Sequence, residues 1–223
     1  MNGTATPQAA RPGLLLVPLY VHPAVDPAAW RALEAAAPRL YAVVLNAADG
    51  PGVRPDPAFA TAARRLRGAG VRLLGYVDTA YAVRSARAVH RDLRRHRAWY
   101  ATDGVFFDRV ASDPRRVPYY RRLSRAARIR GARTVVLNPG VHPDPAYARL
   151  ADLLVTFEGS WADYLDAVIP PWTSGHPPAR FCHLVYAVPR GLDERVARTA
   201  AMRGAAVHCA VPGTPPNPWR SAP

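Results

Sequence analysis

The chain has 223 residues, 49% of them hydrophobic, and carries 30 basic residues, all arginine, against 16 acids, for a net charge of +14. That length suits one large domain with a sizeable core, and no run approaches the ~18 uninterrupted apolar residues that indicate a membrane span. The positive charge does not read as a nucleic-acid footprint. Lysine is absent while alanine and proline abound, which is the mark of coding bias, and arginines such as Arg64, Arg65 and Arg67 or Arg91, Arg94 and Arg95 lie on helix faces without interleaved aromatics to stack on bases.

Taken in order, residues 1–12 are polar, bear Pro and Gly, and show neither an apolar segment nor a cleavage signature, so they read as a flexible tail. On the same ground the chain is expected to be cytoplasmic, or secreted if its start is truncated. A first strand runs from Leu14 to Tyr20, with Pro18 an irregularity. Asp26-Pro27 then opens a helix over Ala28 to Ala37. The second strand, Ala42 to Asn46, leads through a loop into a helix from Pro57 to Gly68. Gly70 stops that helix, and the third strand, Val71 to Val77, ends at Asp78.

A long helix from Ser85 to Tyr100 precedes the fourth strand, Asp103-Gly104-Val105-Phe106-Phe107-Asp108. A helix from Tyr119 to Arg130 is closed by Gly131 and followed by the fifth strand, Thr134 to Asn138. A short helix near Tyr147 leads to the sixth strand, Leu153 to Glu158, and another short helix spans Trp161 to Ile169. The seventh strand covers Phe181 to Val188, a helix covers Leu192 to Met202, and the eighth strand covers Ala206 to Val211. Residues 213–223 are proline-rich and read as an irregular tail.

Eight continuous hydrophobic strands alternating with helices predict an α/β fold, a compact single-domain (β/α)8 TIM barrel over residues 13–212. A doubly wound sheet would carry a Gly-rich turn after the first strand, where Tyr20-Val21-His22-Pro23 stands instead. Cys182 and Cys209 are too few for a disulfide framework and read as buried free thiols. The histidines lack metal-ligand spacing, and neither a nucleophile elbow nor a phosphate loop is present, so no metal or cofactor is expected.

Chemistry gathers at the strand ends. Side chains two apart share a face, so counting back pairs Val44 with Asn46, Tyr76 with Asp78, Phe106 with Asp108, Val136 with Asn138 and Thr156 with Glu158. A barrel mouth holding three carboxylates and two amides, with aromatic rings beside it, suits the hydrolysis of a glycosidic bond. In this reading Glu158 is the general acid/base and Asp108 the charged stabiliser or nucleophile. Tyr20, His22, Asn46, Asp78, Arg109, Asn138, Trp161 and Tyr186 are the candidate substrate contacts. The spacing leaves retention and inversion open. The partner implied is an oligo- or polysaccharide, with no nucleic acid and no membrane.

Val17-Pro18-Leu19-Tyr20, Val44-Leu45-Asn46, Gly50-Pro51-Gly52, Leu74-Gly75-Tyr76-Val77, Trp99-Tyr100, Asp103 to Asp108, Leu137-Asn138-Pro139-Gly140 and Phe157-Glu158-Gly159 resemble, in order and spacing, the spherulation-specific family 4 proteins. The resemblance runs from about Leu15 to Tyr186 and implies a (β/α)8 glycoside hydrolase. Characterised relatives are endo-acting enzymes that cut α-1,4-linked N-acetylgalactosamine in galactosaminogalactan. The family's acidic site is an Asp-Glu pair ending the fourth strand and a Glu ending the sixth. Asp108 and Glu158 match the first and last, and Arg109 stands where the Glu of the pair would be. An arginine there could hold Asp108 or Glu158 charged through a bidentate pair, which leaves a non-catalytic carbohydrate-binding barrel as the alternative.

Overall fold

A computed structural model describes residues 13–223; the predicted N-terminal tail, 1–12, lies outside the described residues. Eight parallel strands, β1 (Leu14–Pro18), β2 (Leu40–Leu45), β3 (Leu73–Asp78), β4 (Gly104–Asp108), β5 (Thr134–Leu137), β6 (Leu153–Ser160), β7 (Phe181–Tyr186) and β8 (Val207–Ala210), pair in sequence order, and β8 closes on β1. The expected TIM barrel is therefore formed. Helices α1 (Pro27–Ala35), α2 (Pro57–Gly68), α3 (Ala86–Tyr100), α4 (Val117–Ile129), α5 (Trp161–Leu165) and α6 (Asp193–Met202) cover its outside. Between β5 and β6 a 3-10 turn, Pro145–Arg149, replaces a full helix.

Local chemistry starts these helices where the sequence indicates. Asp26 and Asp56 cap α1 and α2 with their carboxylates, each followed by proline at the first helical position, and Ser85 caps α3. Strand residues then divide by parity. Leu16, Val44, Leu74, Phe106, Val136 and Leu184 fill the barrel interior with both buried thiols. Val105, Phe107, Val135 and Leu137 face outward onto Val89, Tyr120 and Leu123 of α3 and α4. Gly75 lets α3 approach closely, since a Cβ there would lie 2.5 Å from the His96 ring.

Parity breaks in two places: β2 gains a residue, Tyr41, against Leu15 and Leu16 of β1, and β6 gains one against β7. Along β6 and β7, Val155 pairs with Cys182 but Phe157 pairs with His183, so Thr156 is an extra residue, a β-bulge. In a regular strand Glu158 would follow Leu154, which packs outward. Beyond the bulge it pairs with the interior residue Leu184, and its carboxyl enters the mouth.

The proline-rich stretch 213–223 is irregular apart from a 3-10 turn, Pro218–Arg220. It crosses the mouth and is tied just beyond the carboxyl ends of β7 and β1: Ala187 N–H donates to the Gly213 carbonyl at 2.7 Å, and Tyr20 N–H to the Trp219 carbonyl at 2.7 Å. Trp219 is only 4% exposed.

Candidate active site

The ends of β3 to β6 converge on a pair of carboxylates. One amide nitrogen, Nδ2 of Asn138, donates to Asp108 Oδ1 at 2.7 Å and to Glu158 Oε2 at 2.5 Å. The two acceptor oxygens are therefore no more than about 5 Å apart, close to the shorter of the two separations that glycosidases use. The orientation of the amide follows from its other end: Asn138 Oδ1 accepts the Gly140 N–H at 3.0 Å, with Gly140 at φ +69°. With the oxygen taken by that turn, the NH2 group must face the acids. Tyr76 donates its hydroxyl to Asp108 Oδ2 at 2.7 Å, and Trp219 donates its indole N–H to Glu158 Oε1 at 3.1 Å.

The two acids are unequal. Burial, and then the neighbouring Asp108 charge, push Glu158 up to about 7, against hydrogen bonds from Asn138 and Trp219 that favour its charged form. Asp108 is raised by burial too, but Tyr76, the Arg109 backbone N–H and Asn138 all donate to it. With three donors against two, the pair's proton belongs on Glu158 and the charge on Asp108. Tyr20 and Tyr76 are driven well above the ordinary tyrosine value, chiefly by burial, so both stay protonated.

Glu158 opens into a cleft of about 570 Å³, which Tyr20, Asn46, Asp49, Tyr76, Tyr186 and Trp219 also line. Asn46 shapes the cleft's edge by accepting the Gly50 N–H at 2.8 Å. Asp78 and Arg109 do not line the cleft; they pair with each other at 3.3 Å, and the Arg109 guanidinium rests 5.3 Å from the centre of the Tyr81 ring. Arg109 has φ +49°, which turns its side chain away from the line of β4. Its guanidinium therefore binds Asp78, not Asp108 or Glu158, in contrast to the clamp expected from the sequence.

Two further candidates, His22 and Trp161, are not brought to this cleft. His22 Nε2 sits 3.1 Å from Asp56, with the ring edge-on to Phe59. Trp161, placed by the extension of β6 to Ser160, begins α5 and packs with Tyr164, Val188 and Val196. Trp219 and the donor role of Tyr76 were not anticipated. The available signals were a tryptophan amid prolines and a tyrosine two residues before a strand-end acid.

Backbone strain marks the same face. Of the seven described non-glycine residues with positive φ, Asp49, Ala80, Tyr81, Ala82, Arg109 and Ala187 directly follow a strand's carboxyl end or lie in the loop beyond it, and Ala101 caps the end of α3 on the opposite face. Such residues cost roughly 1–3 kcal/mol each and cluster at functional sites.

A profile of spherulation-specific family 4 matches residues 14–211. The chain belongs to this family. Spherulin-4 of Physarum polycephalum is 32% identical over 158 residues, which make up 69% of this chain and 47% of that protein, so the chain spans about half the length of this curated relative. Among solved structures, Aspergillus clavatus Sph3 in complex with GalNAc has a TM-score of 0.81 at 27% identity, covering 95% of this chain and 93% of Sph3. The Bacillus cereus spore cortex-lytic enzyme SleL, at 14% identity, has a TM-score of 0.53, covering 77% of this chain and 50% of SleL, and shares the fold. Spherulation-specific family 4 thus contributes a barrel that is nearly coextensive with Sph3, and in this member the C-terminal segment that bears Trp219 lies beyond the matched residues.

Proposed function

We propose that the chain is a glycoside hydrolase acting on an amino-sugar- or galactose-containing polysaccharide, through acid/base chemistry at the barrel mouth. The observation that carries this reading is the Asn138-bridged pair, in which Glu158 is poised at about 7 beside an Asp108 that accepts more hydrogen bonds. Glu158 gives its proton to the glycosidic oxygen as the bond to the anomeric carbon breaks. Asp108 meets the positive charge that develops there, or forms a covalent bond to that carbon. Water then displaces it, giving its proton back to Glu158. The short separation favours this retaining course.

Two features support an N-acetylgalactosamine-containing substrate. Sph3, which binds GalNAc in its crystal structure, aligns over nearly the whole barrel. The cleft is also locally acidic, with Asp49 and Glu158 on its wall, in a chain of net charge +14. A partly deacetylated amino sugar carries ammonium groups that such a mouth attracts while the rest of the surface repels them. The test is incubation with partly deacetylated galactosaminogalactan and assay for new reducing ends. Binding without cleavage by the parent protein would favour the alternative of a carbohydrate-binding barrel.

A further inference from the structure

We propose that Trp219 is a positioning residue for Glu158, held in place by a C-terminal strap that forms one wall of the site. Its significance for catalysis rests on the hydrolase reading above.

The strap is built to a fixed shape. Asn217 donates its Nδ2 to the Tyr20 carbonyl at 3.1 Å and accepts the Trp219 N–H at 3.2 Å, while Tyr20 N–H returns to the Trp219 carbonyl. Gly213 packs so closely on the Pro218 carbonyl that a Cβ would lie 2.1 Å from its oxygen, so only glycine fits. At the far end, Ala187 ties Gly213 to the strand that carries Tyr186. The Tyr186 ring in turn meets Trp219 edge-on at 6.4 Å. These contacts hold the indole at one angle.

Covering the barrel would require only an apolar ring. The indole instead aims its single N–H at Glu158 Oε1, and this group can only donate. Asn138 holds Oε2 from the opposite side. The plane of the carboxyl is thereby fixed at both oxygens, and its proton is restricted to the lone pairs that these donors leave free.

The other titratable groups around Glu158 are Asp108 on β4, Tyr76 on β3, Tyr20 beyond β1, Asp49 beyond β2, Cys182 and Tyr186 on β7 and Cys209 on β8. Burial pushes Tyr20, Tyr76 and both thiols up, so these stay neutral. Asp108 and Asp49 are the acids facing Glu158, and Arg220, next to the indole, is exposed.

The experiment reads the Glu158 carboxyl carbon by NMR across pH in substrate-free protein, parent against Trp219→Phe. The phenyl ring keeps the apolar cover and loses the donor to the charged form. The ionisation midpoint should rise by about half a unit to one unit. Under the hydrolase reading, kcat should fall about tenfold with KM within about twofold. A folded Trp219→Phe protein with an unmoved midpoint overturns the proposal. Should that variant not fold, Asn217→Ala, which loosens the strap and keeps the indole, is read in the same way: a raised midpoint supports the proposal and an unmoved one overturns it. Because the midpoint needs no substrate, a chain that cleaves nothing can still show the shift. Cleavage with no shift would reject the role of Trp219 and leave the hydrolase reading intact.

Discussion

Glu158 lies opposite Leu184 in the β6–β7 ladder, out of step with the alternation that Val155 begins, because Thr156 is an extra residue between them. The bulge puts the carboxyl in the mouth instead of against the outer helices. Deleting Thr156 should restore the alternation and turn Glu158 outward. We expect cleavage to fall at least 10²-fold, with the Glu158 carboxyl no longer ionising near 7, and both are measurable by reducing-end assay and NMR. A deletion variant that retains both properties would show that the bulge does not aim this residue.

Asn138 serves both acids, so its truncation should affect both. Asn138→Ala removes a donor from each carboxylate, and the midpoint of Glu158 should rise above that of the parent. Stability should drop by about 1–3 kcal/mol, the range for leaving buried polar groups unpaired. pH titration and denaturant unfolding measure the two effects. A midpoint that stays or falls would contradict the hydrogen-bonding scheme.

The raised value of Glu158 has a consequence for folding. A carboxyl that ionises near 4.5 unfolded and about 7 folded binds its proton more tightly in the native state. Its contribution is therefore fully present below the unfolded value and is lost as pH climbs through about 7. The shift corresponds to roughly 3 kcal/mol of stability lost between pH 4 and pH 8. Glu158→Gln, which cannot ionise, should remove this slope and be the more stable protein at pH 8. Parallel urea titrations at pH 5 and pH 8 decide it, and equal slopes in parent and variant would rule the effect out.

Arg109 pairs with Asp78, half exposed, at a left-handed backbone position. Arg109→Gly should relieve about 1 kcal/mol of strain and lose an exposed ion pair worth about 0–1 kcal/mol. Net stability should be unchanged or slightly higher, and the Glu158 midpoint should stay in place. A large movement of that midpoint would mean that the guanidinium acts on the catalytic pair after all.

Much of the molecule was legible because local rules and the tertiary structure agree. Asp26-Pro27 and Asp56-Pro57 cap their helices as their chemistry requires, and the runs ending at Asp108 and Asn138 are strands with polar ends at the mouth. The polar end of its strand places Glu158 at the mouth, where it lies, but the bulge at Thr156 that brings it there is not legible, since alternation cannot reveal one extra residue. Trp161 follows two further strand residues, begins α5 and is buried against Val188 and against Val196 of α6, and the Asp56 partner of His22 lies 34 residues away. Trp219 was hidden for another reason. Its strap is held by the backbone of Tyr20 and Ala187, contacts that leave no trace in the pattern of side chains.

The most direct measurement is the release of new reducing ends from partly deacetylated galactosaminogalactan by the parent protein, Asp108→Asn and Glu158→Gln. Cleavage by the parent, with a loss of at least about 10³-fold in each variant, is the expected result. Cleavage that survives in both variants, or no cleavage by a folded parent that binds the polymer, would contradict the assignment of Asp108 and Glu158 as a catalytic pair.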